Sequence, residues 1–247
     1  MGTFNPELII KHILDGVKYC HVTVALAFIP CTVAAMLGLC IALGRFLGHK
    51  GISRLGTFFM MTSKSIPSIL LMFVIYYGIF AIVRPFTHLF PGVISAKSIR
   101  AFPIALFSLT ITNLGFLTET MTSATRSVNK GQLEAALMSG MTNFQAIRRI
   151  LLPQIMKEAV PNLCNNYTAS IKLSAIAFTI SVVDMLNGAL IQTYKSFSYL
   201  ECYLGIAILY WCLVFCVERI FQFLEHLTNK QERKTEYSWL KMRGKLT

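Results

Sequence analysis

Four charged side chains, Lys64, Glu119, Lys172 and Asp184, stand inside otherwise apolar stretches of this 247-residue chain, and Ser170 and Ser174 flank the third of them. A charge at mid-bilayer costs about 2.5–3.5 kcal/mol on insertion scales, so such groups turn toward one another, a partner helix or a water-filled path rather than lipid. The chemistry they offer is binding. A cation and a carboxylate held near each other match the carboxylate and ammonium of a zwitterionic solute, whereas a sugar would call for aromatic and amide side chains. Lys64 and Glu119 lie only a few turns from the ends of their stretches, where snorkelling or ion pairing accounts for a charge equally well. Lys172 and Asp184 share one stretch and give it a polar side. With Pro67, these residues make a candidate substrate path of Lys64, Pro67, Glu119, Lys172, Ser174 and Asp184, drawn from three spans and expected to converge on the inner side of the protein.

Catalytic marks are missing from the sequence. There is no GxxxxGK[ST], and Gly44 to Lys50 resembles it only with the wrong spacing and no hydroxyl after the lysine. The five histidines form no HExxH, and no GxSxG occurs. Seven cysteines, at 20, 31, 40, 164, 202, 212 and 216, never pair as CxxC and imply neither a disulfide framework nor a zinc site. Asn166-Tyr167-Thr168 fits a glycosylation sequon, but the topology below puts it on or near the cytoplasmic side. The expectation is a protein that is not an enzyme and holds no metal or cofactor of its own.

The elements that carry these residues are set by hydropathy. With 55% hydrophobic and 14% charged residues and a mean hydropathy of +0.59, this is an integral membrane protein. Its net charge of +12 does not indicate nucleic acid, because the basic residues are spread between apolar runs rather than gathered with aromatics. The fold class is all-α, a polytopic bundle of about five transmembrane helices: roughly 17–43, 55–83, 101–125, 161–186 and 203–224. Pro67 should kink the second. The segment from 84 to 100, with Pro85, His88, Pro91-Gly92 and Lys97, reads as a connection. The N-terminus lacks the pattern of a signal peptide, so the first run is a retained span. Residues 1–228 form one membrane domain, and 229–247 a charged tail.

Five spans put the termini on opposite faces. Arg45, Lys50 and Arg54, five basic residues around the stretch 126–157 and seven from Arg219 onward make fifteen Lys/Arg on one side, against six on the other. The positive-inside rule makes the fifteen-residue side cytoplasmic, with the N-terminus outside and the C-terminus inside. Cys202 should then open the fifth span on the outer face, reachable by an impermeant thiol reagent, and Cys164 the fourth on the inner face.

One segment cannot be a span. From Gly131 to Pro153, Leu133, Ala136, Leu137, Gly140 and Met141 make a stripe at helical spacing, and Gly140 should end that helix. Thr142 with Gln145 reads as a capping box opening a second helix, in which Phe144, Ile147 and Leu151 oppose Arg148 and Arg149. Pro153 should stop or bend it. A helical hairpin with apolar and cationic sides results, and by itself it would suit a lipid surface as well as a protein one.

The residues Glu134-Ala135-Ala136, three residues, Gly140, nine residues, Ile150, one residue and Leu152-Pro153 resemble, at every fixed position, the EAA motif of ATP-binding-cassette importer permeases. The resemblance to the polar amino acid uptake branch extends through Glu119, Val128 to Gln132, Pro67, Val160-Pro161, Lys172 and Asp184, and covers about residues 14–226. It implies that 131–153 is a cytoplasmic coupling helix seated in a groove of an ATPase subunit through Gly131, Glu134, Ala135, Ala136, Gly140, Ile150, Leu152 and Pro153. It implies as partners two ATPase subunits that bind the ATP, a second permease subunit, identical or not, an extracytoplasmic solute-binding protein, an amino-acid-like substrate and the lipid bilayer of a bacterial inner membrane. The rival from another class is an ion-coupled secondary carrier or channel, for which the embedded charges would be coupling residues. That rival gives the hairpin no task.

Overall fold

The computed structural model describes residues 4–89 and 100–243, and within them the chain is helical with no strand. Pro91, Gly92 and Lys97 of the expected connection lie outside the described residues. Among the described residues three helices are long and apolar enough to cross a bilayer, Cys20–Phe46 (α2), Ala101–Ser127 (α5) and the first part of a longer helix, Tyr199–Phe223. Two bent helix pairs bring the number to five when each pair counts as one span.

The first difference from expectation lies before the first span. Pro6–Val17 forms its own helix, α1, opened by Asn5, whose side chain accepts from the Glu7 N–H, with Pro6 supplying the helical φ of the first turn. It packs on the start of the last helix, α10 (Tyr199–Arg243), where glycine on both sides allows close approach. A Cβ at Gly205 would lie 2.9 Å from the Ile9 carbonyl oxygen. His12, which is buried, shares a 2.9 Å hydrogen bond with Ser198, and the Asn5 N–H donates to Glu201 at 3.0 Å.

The closest helix pair is α2 with α5. A Cβ on Gly38 would come within 2.9–3.0 Å of the backbone at Leu117 and Thr118, so only glycine lets these two backbones touch. Around that contact Ala34, Ala42, Leu117, Met121, Leu151 and Ile155 form a buried core. α2 ends at Phe46, where Gly48 takes a positive φ of 82° and the Gly48 and His49 amides close back on Arg45 and Gly44.

The second expected span is two helices. α3 (Lys50–Ser65) and α4 (Ser68–Leu89) meet at 107° rather than at a proline kink. Ile66 must be extended because the Pro67 ring excludes the helical conformation before it, and it sits at φ −98°, ψ 126°. Having no N–H, Pro67 cannot continue α3, and its carbonyl instead accepts the first bond of α4 from Leu71. α3 lies against mid-α5, where Ser63 abuts Gly115 and donates to the Ile111 carbonyl at 2.8 Å.

The fourth span is also interrupted. α8 (Leu152–Ser174) tightens into a 3-10 turn, Ala175–Ile180, which ends at Ser181 in the left-handed region with φ 65°. α9 (Met185–Ser196) then sets off at 45° to the preceding helix. α10 runs unbroken to Arg243, so residue 229 falls inside a helix rather than at its end.

Candidate functional site

Two features can do work: a hairpin at one end of the bundle and polar groups at the helix breaks. In the hairpin, the Asn129 side chain caps α6 (Lys130–Met138) by accepting from the Gly131 N–H at 2.9 Å. The helix closes in a Schellman arrangement, with Met141 N–H on the Ala136 carbonyl and Gly140 N–H on that of Leu137. Gly140 pays for this with φ 83°, which a side chain would strain, while no atom lies within 4 Å of where its Cβ would be. The capping box is formed: Thr142 accepts from Gln145 N–H and Gln145 from Thr142 N–H, opening α7 (Asn143–Ala146).

Pro153 does not stop the chain. Ile147–Leu151 widen into a π turn, in which the Leu152 N–H reaches back to the Ile147 carbonyl, and α8 follows without a gap. An α-helical Pro153 would leave the Arg149 carbonyl without its donor and in collision with the ring. One wider turn just before the ring relieves both, as π turns do where a helix must absorb a misfit.

The hairpin has an inner and an outer face. Ala136, Ala146 and Leu151 are buried, and Leu133 and Ile147 pack onto the bundle core. Gln154 ties the two arms together by donating to the Gln132 side chain. Gly131, Glu134, Ala135, Gly140 and Pro153 are exposed, and Ile150 and Leu152 are half-buried. Beside them Met138 is 89% and Phe144 69% exposed, with Leu137 open as well. Phe144 therefore does not share the buried face of Ile147 and Leu151, as helical spacing alone would have it. Three large apolar groups at the tip of a short hairpin have nothing to cover them among the described residues, an exposed patch of the kind that marks interaction surfaces.

Four of the five polar candidates fall into two groups, and Lys172 stands apart from both. Lys64 and Glu119 form an ion pair where α3 meets α5, and the Lys64 ammonium lies 5.6 Å from the centre of the Phe116 ring. Both residues are exposed, and Pro67, also exposed, makes its turn one helical turn beyond Lys64. Ser174 and Asp184 belong to the other group and are completely buried. Asp184 caps α9 by accepting from the Asn187 N–H at 2.9 Å, and its second oxygen accepts from the Tyr210 hydroxyl at 3.3 Å. Thr23 of α2 accepts from the Met185 N–H at 3.0 Å, and the Asn187 amide donates to the Val182 carbonyl at 3.0 Å. Three of these bonds serve backbone freed by the break between Ile180 and Met185, which hydrocarbon could not satisfy, and the Tyr210 hydroxyl holds the carboxylate that caps α9. Lys172 is exposed on α8 and has no ion pair among the described residues. It continues a line of exposed residues, Asn162, Asn165 and Ala169, that is too polar for lipid.

The sequence passed over Thr23 and Tyr210, which complete the Asp184 cluster, and Tyr167, whose hydroxyl lies 2.8 Å from that of Thr32. Their only signal was a hydroxyl within an apolar run, and a helical threonine more often bonds its own preceding turn, as Thr112 and Thr125 do here.

A solved structure described as an amino acid ABC transporter with histidines superposes with a TM-score of 0.74 at 25% identity, covering 91% of this chain and 99% of that one. The MetNI methionine ABC transporter in an inward-facing conformation shares the fold, with a TM-score of 0.64 at 20% identity over 86% of this chain and 95% of its own. Among curated proteins, the probable amino-acid permease YxeN of Bacillus subtilis (strain 168) is 30% identical over 233 residues, 94% of this chain and 100% of that protein. The L-cystine transport system permease TcyL of the same organism is 28% identical over 236 residues, 95% of this chain and 92% of its own length. The family model described as binding-protein-dependent transport system inner membrane component matches residues 34–230, most of the chain, and this multi-pass membrane protein belongs to that family.

Proposed function

We propose that this chain is one permease half of an ATP-driven importer for an amino acid or a close derivative. The observation that carries the reading is the hairpin: an EAA pattern folded so that Met138 and Phe144 stand 89% and 69% exposed at its tip, around the exposed Glu134, Ala135 and Gly140. The small residues at 135 and 140 leave room for another protein's surface, and the apolar groups give that surface something to bury. Gly131, Glu134, Ala135, Ala136, Gly140, Ile150, Leu152 and Pro153 transmit ATP-driven closure of two ATPase subunits to the bundle, which alternates its access between the two faces. A second permease subunit and an extracytoplasmic solute-binding protein complete the assembly. ATP is bound and hydrolysed by the ATPases, and this chain performs no chemistry. The hairpin and C-terminus lie in the cytoplasm, and residues 1–228 act as one membrane unit carrying the tail 229–247.

The substrate class rests on relatives whose names specify amino acids, L-cystine, nopaline and octopine. Polar side chains of both signs agree with it. Lys64, Glu119 and Lys172, with Pro67 at the break, line the path, while Ser174 and Asp184 hold the break in α8–α9 that shapes it. The test is purification followed by transport. The chain should leave the membrane with ATPase subunits attached, and with its binding protein it should take up an amino acid on ATP addition. A chain that purifies alone and transports on an ion gradient would overturn the reading.

A further inference from the structure

Where α2 ends, a cavity of about 340 Å³ lies between α2, α3 and α5, and is lined by Arg45, Arg126, Lys130, Ser53, Thr57 and Thr122 among others, with none of the path residues in its lining. None of its lining residues is acidic. Arg45 extends along it with only neutral partners: the Thr57 and Thr122 hydroxyls at 3.1 and 3.2 Å, the Ser53 carbonyl at 3.3 Å and the Met60 sulfur at 3.3 Å. Its Nε is buried with no hydrogen-bond partner among the described residues. Gly56 of α3 packs directly over the guanidinium of the half-buried Arg45, for a Cβ there would fall 2.8 Å from Nη2. Arg126 is exposed at the mouth, and the Lys130 ammonium rests 5.9 Å from the centre of the Phe46 ring. Neither Arg45, Arg126 nor Lys130 has an ion pair among the described residues.

Three cations facing one cavity with no carboxylate repel one another, and the repulsion is strong where water is scarce. An anion seated among them relieves that repulsion. We propose that this cavity binds a phosphate-bearing anion. A guanidinium offers planar paired donors that match tetrahedral phosphate oxygens, and the ammonium and the second guanidinium supply the remaining charge. The phosphate comes either from the headgroup of an anionic phospholipid, since the cavity lies at the end of a membrane-spanning helix, or from a free phosphate anion, and the two sources are separable.

The test uses the full chain in nanodiscs of phosphatidylcholine, with thermal unfolding as the readout. One arm replaces part of the phosphatidylcholine by phosphatidylglycerol, and the other adds inorganic phosphate. A rise in Tm with phosphatidylglycerol alone identifies a lipid headgroup, and a saturable rise with phosphate identifies a free anion. Arg126→Gln and Lys130→Gln, both at exposed positions that the fold tolerates, should each raise the half-saturating anion concentration roughly tenfold, the loss of one charge-assisted contact. Arg219→Gln, an exposed cation on α10 outside the cavity, should leave it unchanged. No response to either probe, the result if a partner subunit's carboxylate fills the cavity, would overturn the proposal. So would equal responses in wild type and both cavity variants, or an equal loss in Arg219→Gln.

Discussion

Asp184 illustrates what single residues do and do not disclose. The sequence marks it as a carboxylate with no business in hydrocarbon, and the structure finds it wholly buried, its oxygens taken by the Asn187 backbone N–H and the Tyr210 hydroxyl. Its use could not be read in advance because Thr23 and Tyr210, which complete the cluster, come from other helices, Thr23 from α2 at the far end of the chain. Lys64 and Glu119 were each legible as a charge that snorkels or finds an ion-pair partner, and the structure pairs them with each other. The prediction at this scale separates cap from charge. Asp184→Ala removes the cap of α9 and takes one acceptor from the Tyr210 hydroxyl, which should cost about 1–3 kcal/mol and lower Tm by several degrees. Asp184→Asn keeps a capping oxygen and should retain most of the stability and the uptake. If Asn proved as damaging as Ala to transport in a normally stable protein, the negative charge itself would have to meet the solute.

Elements were legible where one physical signal dominated. Hydropathy located the long spans, and the pairing of Thr142 with Gln145 located the start of α7, because a capping box is a local pattern that no tertiary contact need complete. Prolines were ambiguous. Pro67 and Pro153 both sit in apolar surroundings, yet one turns the chain through 107° and the other is absorbed by a single π turn. The difference is that Ile66 is free to extend, whereas the turn before Pro153 is held by the buried Ala146 and Leu151. α1 was missed because its twelve residues are too few for a span, and its place against α10 depends on Gly205, nearly two hundred residues away. Close helix approach gives the prediction here. Gly38→Leu must push α2 away from the Leu117–Thr118 backbone, an overpacking of at least 1–3 kcal/mol, and should deplete the folded protein from the membrane. A normal amount of Gly38→Leu protein with unchanged Tm would mean that α2 and α5 do not touch there.

For the whole molecule, the lipid-facing surface follows from exposed Val74, Tyr77 and Ile82 on α4 and Ile208, Trp211 and Phe215 on α10. Orientation rests on the distribution of Lys and Arg, and native cysteines make poor reporters of it. Cys202, the expected outer-face reporter, is completely buried beneath α9 residues and closed to any reagent. Lys18 and Ser139 are exposed at opposite ends of the molecule's expected topology. In a chain cleared of native cysteines, Lys18→Cys should be labelled on intact cells by an impermeant maleimide and Ser139→Cys only after lysis. The reverse pattern would invert the protein in the membrane.

The central claim is that the exposed tip of the 131–153 hairpin engages another protein and carries the work of ATP hydrolysis into the bundle. Phe144, at 69% exposed, and Met138, at 89%, can each be changed to Glu with little effect on the chain itself, within about 0.5 kcal/mol for such surface positions. The most direct measurement is ATP-driven uptake by the reconstituted importer carrying Phe144→Glu and Met138→Glu, with the Tm of the permease and the amount of attached ATPase determined on the same preparation. Unchanged Tm together with loss of ATPase attachment and of uptake is the result expected. Full uptake with ATPase bound normally would contradict the account and remove the hairpin tip from the coupling surface.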